Sequence, residues 1–174
     1  MKMDLGEGLH ELVRGKIVAY PYGTHLHGYV CAQITCALGG YERQFETGYT
    51  LCNGVALWTE REPDTVRGVD VSFYTHARWP ITEGDEEIPT IPPDLAVEVA
   101  ESGEARSTIL ARLHEYLNAG SPLAWAVYPK GRLVLIFRPH DACPMVLTEA
   151  DVIADLPELP GFRCPVADFF PPRA

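Results

Sequence analysis

Lysine is scarce in this chain. Only three occur in 174 residues (Lys2, Lys16 and Lys130), the eleven arginines are scattered, and 24 acids leave a formal charge of −10. A nucleic-acid binder normally shows a basic patch, because neutralising phosphates releases counterions and supplies much of the affinity. Here the segment between Arg78 and Arg106 holds eight acids and no base at all. Tight binding to bare DNA is therefore not expected, and net charge disfavours nucleic acid as a partner. No stretch approaches the roughly twenty apolar residues that span a bilayer. The start, Met1-Lys2-Met3-Asp4, lacks the apolar core of a secretory signal. The five cysteines are odd in number and show no CxxC spacing. That argues against a disulfide framework or a structural zinc site, and for reduced core thiols in a cytoplasm.

What is present suits one folded domain over residues 1–174. Hydrophobic residues make up 47% and charged residues 22%, ordinary for a globular chain, and the fifteen prolines and fifteen glycines punctuate apolar runs. Glu11–Tyr20 reads as a hairpin turning at Arg14-Gly15. Thr24 is a plausible N-cap for a helix carrying Leu26, Val30, Ile34 and Leu38 toward a core, with Gly39-Gly40 as its stop. Short strands are expected near Gln44–Leu51, Val55–Trp58 and Val69–Tyr74, then an exposed loop from Arg78 to Pro93 with a Glu83, Asp85, Glu86, Glu87 cluster. Asp94–Val99 reads as a central strand. Ile109, Leu110, Leu113, Tyr116 and Leu117 form the stripe of a helix over Ala105–Ala119, with Ser102 as candidate N-cap and Gly120 as stop. Strands follow at Leu123–Tyr128 and Leu133–Phe137, and the tail Leu156–Phe170 wraps the core. The order predicts an α/β fold, a mixed central β-sheet flanked by α-helices.

Two acids stand out on that plan. Asp70 opens one predicted strand and Glu98 lies within another, and carboxylates on adjacent strands can share a hard cation such as Mg²⁺ or Mn²⁺. Such an ion activates water and stabilises charge on a phosphoryl oxygen. A carboxylate on a buried strand costs free energy unless paired or coordinating, so Glu98 is either a metal ligand or half of a buried ion pair. Asp94 shares its face, but about 13 Å of strand separates their Cα atoms. Asp94 is therefore given a supporting role at strand entry.

The string Pro93-Asp94-Leu95-Ala96-Val97-Glu98-Val99, the helix end Arg112 to Gly120, and Trp125–Pro129 resemble the Uma2-type (DUF820) pattern within the PD-(D/E)xK superfamily. So do Glu11-Leu12-Val13-Arg14-Gly15, His27-Gly28, the stretch Thr65–Phe73, Leu159-Pro160-Gly161-Phe162 and Phe169-Phe170, which together cover nearly the whole chain. The resemblance implies a restriction endonuclease-like core in which Asp70 and Glu98 bind Mg²⁺ or Mn²⁺ with the backbone carbonyl of Val99. It makes Glu11 an auxiliary carboxylate and puts Arg112 where such members carry a lysine. Position 100, the superfamily's lysine place, is alanine. Arginine stays charged and can clamp a phosphate, but it does not accept a proton. The resemblance, and nothing in the residues themselves, adds the expectation of a homodimer.

Other candidates carry plainer readings. His25 and His27, at a helix start, fit capping or packing as well as lining a site. Arg112 beside its apolar stripe fits an ion pair as well as a phosphate contact. The acidic loop cluster fits a solvated surface, and Trp58, Trp79 and Trp125 fit packing. Two functions stay open: a Mg²⁺-dependent phosphodiesterase with Asp70, Glu98, Glu11 and Arg112 at its centre, and a degenerate member acting as a binding module.

Overall fold

The structure, a computed structural model, describes residues 8–81 and 88–173. The acidic cluster expected at Glu83 to Glu87 lies outside them. Strands β1 (Leu9–Val13) and β2 (Lys16–Tyr20) form the hairpin expected around Arg14-Gly15. Helix α1 (His25–Phe45) follows, then the long antiparallel pair β3 (Gly48–Glu60) and β4 (Thr65–Thr75). Next come β5 (Leu95–Val99), helix α2 (Arg106–Ala119), β6 (Leu123–Tyr128), β7 (Leu133–Phe137) and β8 (Met145–Thr148). These eight strands make one mixed sheet in the order β2-β1-β4-β5-β6-β7-β8, with β3 also paired to β4. The tail adds a small ribbon of β9 (Val152–Ile153) with β10 (Cys164–Pro165), and a short 3₁₀ turn over Val166–Phe169. Among the described residues no helix is long and apolar enough to cross a membrane.

Among the described residues the only parallel neighbours on the sheet path are β5 and β6, joined through α2. Both are buried on two faces, as a central strand requires. Alternation sorts their side chains. Leu95, Val97 and Val99 join Trp125, Val127 and Ile136 in a core that includes Val30, Ile34 and Leu38 of α1 and Phe162 and Phe169 of the tail. Ala96, Ala124 and Ala126 meet Ile109, Leu113, Tyr116 and Leu117 of α2 on the other side. Small residues there let α2 lie close to the sheet. Glu98, in step with Ala96, must then point toward α2.

The local expectations needed several corrections. Helix α1 does not stop at Gly39-Gly40 but runs on to Phe45 and ends where Glu46 adopts φ 51° and its N–H bonds to Glu42 O. The cost of two helical glycines, about 1 kcal/mol each, is offset by Tyr41, which is buried against the rings of Phe73 and Phe162. Gln44 is accordingly helical, and Leu26 is partly exposed rather than core. The two short strands expected at Gln44–Leu51 and Val55–Trp58 are one strand. Asn53 and Gly54 (φ 74° and 63°) form a bulge where a gap was read. Asp70 lies inside β4 rather than opening it. Ser102 does not cap α2, because a turn from Glu101 to Glu104 intervenes and Ala105 occupies the cap position. Gly120 does end it, at φ 113°. Of the cysteines only Cys164 is buried, Cys31 is intermediate, and Cys36, Cys52 and Cys143 are exposed, all as free thiols.

Candidate metal centre

Strands β4 and β5 pair in antiparallel register from Phe73–Leu95 to Val71–Val97 and then part. Asp70 and Glu98 stand one residue further along each strand. At this point the Asp70 carboxylate, not a backbone carbonyl, receives the Val99 N–H, at 2.8 Å to Oδ2. The same oxygen lies 3.2 Å from His27 Nε2 in the first turn of α1. The hydrogen bond to Asp70 first, and that to Cys31 second, push the His27 pKa up to about 11. His27 is thus drawn into the site, where sequence reasoning leaned on capping and packing.

Glu98 is fully buried. Arg112 Nη1 donates to its Oε2 at 2.9 Å, and the Tyr116 hydroxyl donates to Oε1 at 2.6 Å. Arg112 and Tyr116 are four apart on α2, so one helical face delivers both. Burial, then repulsion from Asp70, pushes the Glu98 carboxyl up to about 8 against the opposing pull of Arg112 and Tyr116. Two donors leave lone pairs on a carboxylate that can accept about four bonds.

Arg112 also lies 4.7 Å over the Tyr20 ring and 3.9 Å from Glu11. Its Nε is buried without a hydrogen-bond partner among the described residues. Burial alone would lower its pKa, but the Glu98 and Glu11 carboxylates raise it above the ordinary guanidinium value. Glu11 is held by Arg67, through Nη1 at 2.9 Å, and by the Gly68 N–H at 2.9 Å. Arg67 in turn grips Glu115 of α2 with two bonds of 2.7 Å. The structure therefore brings Asp70, Glu98, Val99, Arg112 and Glu11 together, with Glu11 one layer behind Arg112. Asp94 stays outside, accepting the Thr75 N–H at 2.7 Å and tying the far ends of β4 and β5.

Four contributors escaped sequence reasoning. Nothing in the sequence singled out Arg67 or Glu115, and Tyr116 was read only as a member of an apolar stripe. Cys31 had only its i, i+4 spacing from His27 to mark it. Glu101 accepts from the Thr24 N–H at 2.7 Å and the Thr24 hydroxyl at 3.1 Å. It pins the start of α1, and hence His27, to the end of β5. Beside this junction lies a cavity of about 750 Å³ whose lining includes His27, Glu101, Arg106, Tyr128 and Lys130. The same wall carries Glu104, so two bases and two acids face this cavity.

The donor set suits a divalent cation. Two mutually repelling carboxylates at the parting of two strands, one of them fully buried, gain from an ion that cancels their charge. A mixed sheet flanked by helices frames these acids. Residues 4–167 match the model of the Uma2 family, described as "Putative restriction endonuclease", and the chain belongs to that family. A crystal structure of a "putative nuclease belonging to DUF820" from Anabaena variabilis superposes with a TM-score of 0.80 at 16% identity. The match covers 96% of this chain and 92% of that one. A search of curated proteins finds no match.

Proposed function

We propose that this protein is a divalent-metal-dependent phosphodiesterase acting on nucleic acid, with Mg²⁺ or Mn²⁺ held by Asp70, Glu98 and the Val99 carbonyl. The observation that carries this reading is the placing of Asp70 and a fully buried Glu98 side by side where β4 and β5 separate. When bound, the cation supplies an activated water and Lewis acidity toward a phosphoryl oxygen. Arg112 is permanently charged and is positioned by Glu98, Glu11 and the Tyr20 ring. It neutralises a phosphate oxygen rather than accepting a proton. Glu11 and Arg67 hold it in place from behind. Arg106 and Lys130 on the cavity wall attract the phosphate backbone that the net charge would otherwise repel.

A second reading has its own support. Arg112 already pairs with Glu98 at 2.9 Å, which is what a degenerate, non-catalytic site would look like. Cleavage assays with single- and double-stranded DNA and RNA, in Mg²⁺ and in Mn²⁺, separate the two. The enzyme reading expects metal-dependent cleavage that Glu98→Gln abolishes. Metal binding without cleavage of any substrate, unrepaired by Arg112→Lys, favours the binding module.

A further inference from the structure

Helix α1 carries two nitrogen and sulfur ligands one turn apart. His27 and Cys31 are i and i+4, so they stand on one face of the helix, and that face meets Asp70 of β4. Cys31 Sγ lies 3.6 Å from His27 Nδ1 and 4.0 Å from Nε2. His27 Nε2 lies 3.2 Å from Asp70 Oδ2. One donor atom from each of the three residues falls within 4.8 Å of the others. Zinc bonds of about 2.0–2.2 Å to nitrogen or oxygen and about 2.3 Å to sulfur put tetrahedral donors roughly 3.3–3.7 Å apart. Through Nε2, the nitrogen that faces Asp70, the ring stands 3.2 Å from Oδ2 and 4.0 Å from Sγ, so the thiol closes by a few tenths of an ångström on binding.

Chemistry narrows the ion. Imidazole with thiolate suits a borderline or soft cation, whereas Mg²⁺ asks for oxygen donors in an octahedron. The backbone also leaves room for the ring. A Cβ on Gly23 would come within 2.8 Å of His27 Nδ1, so glycine at this position keeps the imidazole where it is. The His27 and Asp70 side chains keep 18% and 20% of their exposure, and His27 borders the 750 Å³ cavity. Three protein ligands with a fourth position open to a cavity is the pattern of an exchangeable rather than a closed structural site.

We propose that His27, Cys31 and Asp70 form a seat for a zinc-class divalent cation, separate from the all-oxygen seat of Asp70 and Glu98 but sharing Asp70 with it. On binding, the thiol proton and one imidazole proton pass to solvent, sulfur and nitrogen bond the ion, and no electron is transferred. The lack of CxxC spacing says nothing against this arrangement, because its ligands come from a helix and a strand 39 residues further on. It stands independently of the phosphodiesterase reading, since it needs neither Glu98 nor turnover.

The test uses the full chain, stripped of metal, with exposed Cys36, Cys52 and Cys143 changed to serine so that they take no part. Zn²⁺ titration calorimetry and Co²⁺ absorption are measured on this background, and on Cys31→Ser and Glu98→Gln added to it. One bound ion is expected, with a thiolate-to-cobalt absorption band. Cys31→Ser should abolish the band and weaken Zn²⁺ at least about tenfold, while Glu98→Gln leaves both in place. Unchanged Zn²⁺ affinity in Cys31→Ser, a missing cobalt band in the background protein, or equal loss in Glu98→Gln would each overturn the proposal. Circular dichroism of each variant separates a lost ligand from a lost fold. Failure of the nuclease reading alone would appear as absent cleavage with these Zn²⁺ results intact.

Discussion

Glu98 is an acid whose surroundings pull in opposite directions. Burial and Asp70 favour its protonated form, while Arg112 and Tyr116 favour the charged one, and the net effect raises its pKa from 4.5 to about 8. A carboxyl whose pKa rises on folding adds stability below its unfolded value and loses it as pH climbs through the folded value. The metal-free protein should therefore lose stability between pH 4.5 and about 8, and thermal melts of Glu98→Gln should lack that slope. A divalent cation requires the ionised form, so Mn²⁺ affinity should rise by up to about tenfold per pH unit and level off near 8. An affinity flat across that window would show that Glu98 releases no proton to the metal. Truncating Arg112 to alanine leaves Glu98 with Tyr116 alone and should cost about 3 kcal/mol in urea unfolding above pH 8, where the carboxyl is ionised, and less below it, where the carboxyl is protonated. At this scale the sequence made Asp70, Glu98 and Arg112 legible, because acids on apolar strands and a base beside an apolar stripe are conspicuous. Tyr116, Arg67 and Cys31 were not. Their partners lie 18, 48 and 4 residues away, and only packing reveals the meeting.

Elements deliver those residues, and their fixings are specific. Arg67 of β4 is about 5% exposed and bonds Glu11 of β1 and Glu115 of α2. It locks the hairpin and the helix to the sheet behind Arg112. Arg67→Met should destabilise the fold by about 3 kcal/mol, because two carboxylates lose their buried partner, and denaturant midpoints measure this. Little or no loss would mean that the hairpin and α2 are held by packing alone. A smaller effect is expected at the start of α1, where the Thr24 side chain accepts from the His27 N–H at 3.4 Å and is gripped by Glu101. Thr24→Ala should cost about 1 kcal/mol. Both helices and the strands through β7 were readable from periodicity, whereas β8, β9 and β10 were not. Boundaries were not, because the burial of Tyr41 against Phe73 and Phe162 outweighed the helix-breaking preference of Gly39-Gly40. The Asn53-Gly54 pair, a turn signal by itself, became a bulge once β4 supplied a continuous partner.

Over the whole molecule, the charge of −10 and the site are in tension. Arg106 and Lys130 on the cavity wall stand beside Glu101 and Glu104. With so few bases, nucleic-acid affinity should depend on added metal and vary only shallowly with salt, with a slope of about −3 at most for contacts from Arg106, Lys130 and Arg112. Fluorescence anisotropy across a salt series checks this, and a steep slope would reveal a basic surface not accounted for here. The fold was legible because apolar strand, helix and strand follow in order. A match with a solved structure at 16% identity and a TM-score of 0.80 shows that this layout tolerates wide change in sequence. Metal affinity is the property on which the functional account turns. Calorimetry with Mn²⁺ on the wild type and Glu98→Ala tests it most directly. The wild type should hold a Mn²⁺ site that the substitution abolishes. No binding to the wild type, or equal binding to both, would contradict it.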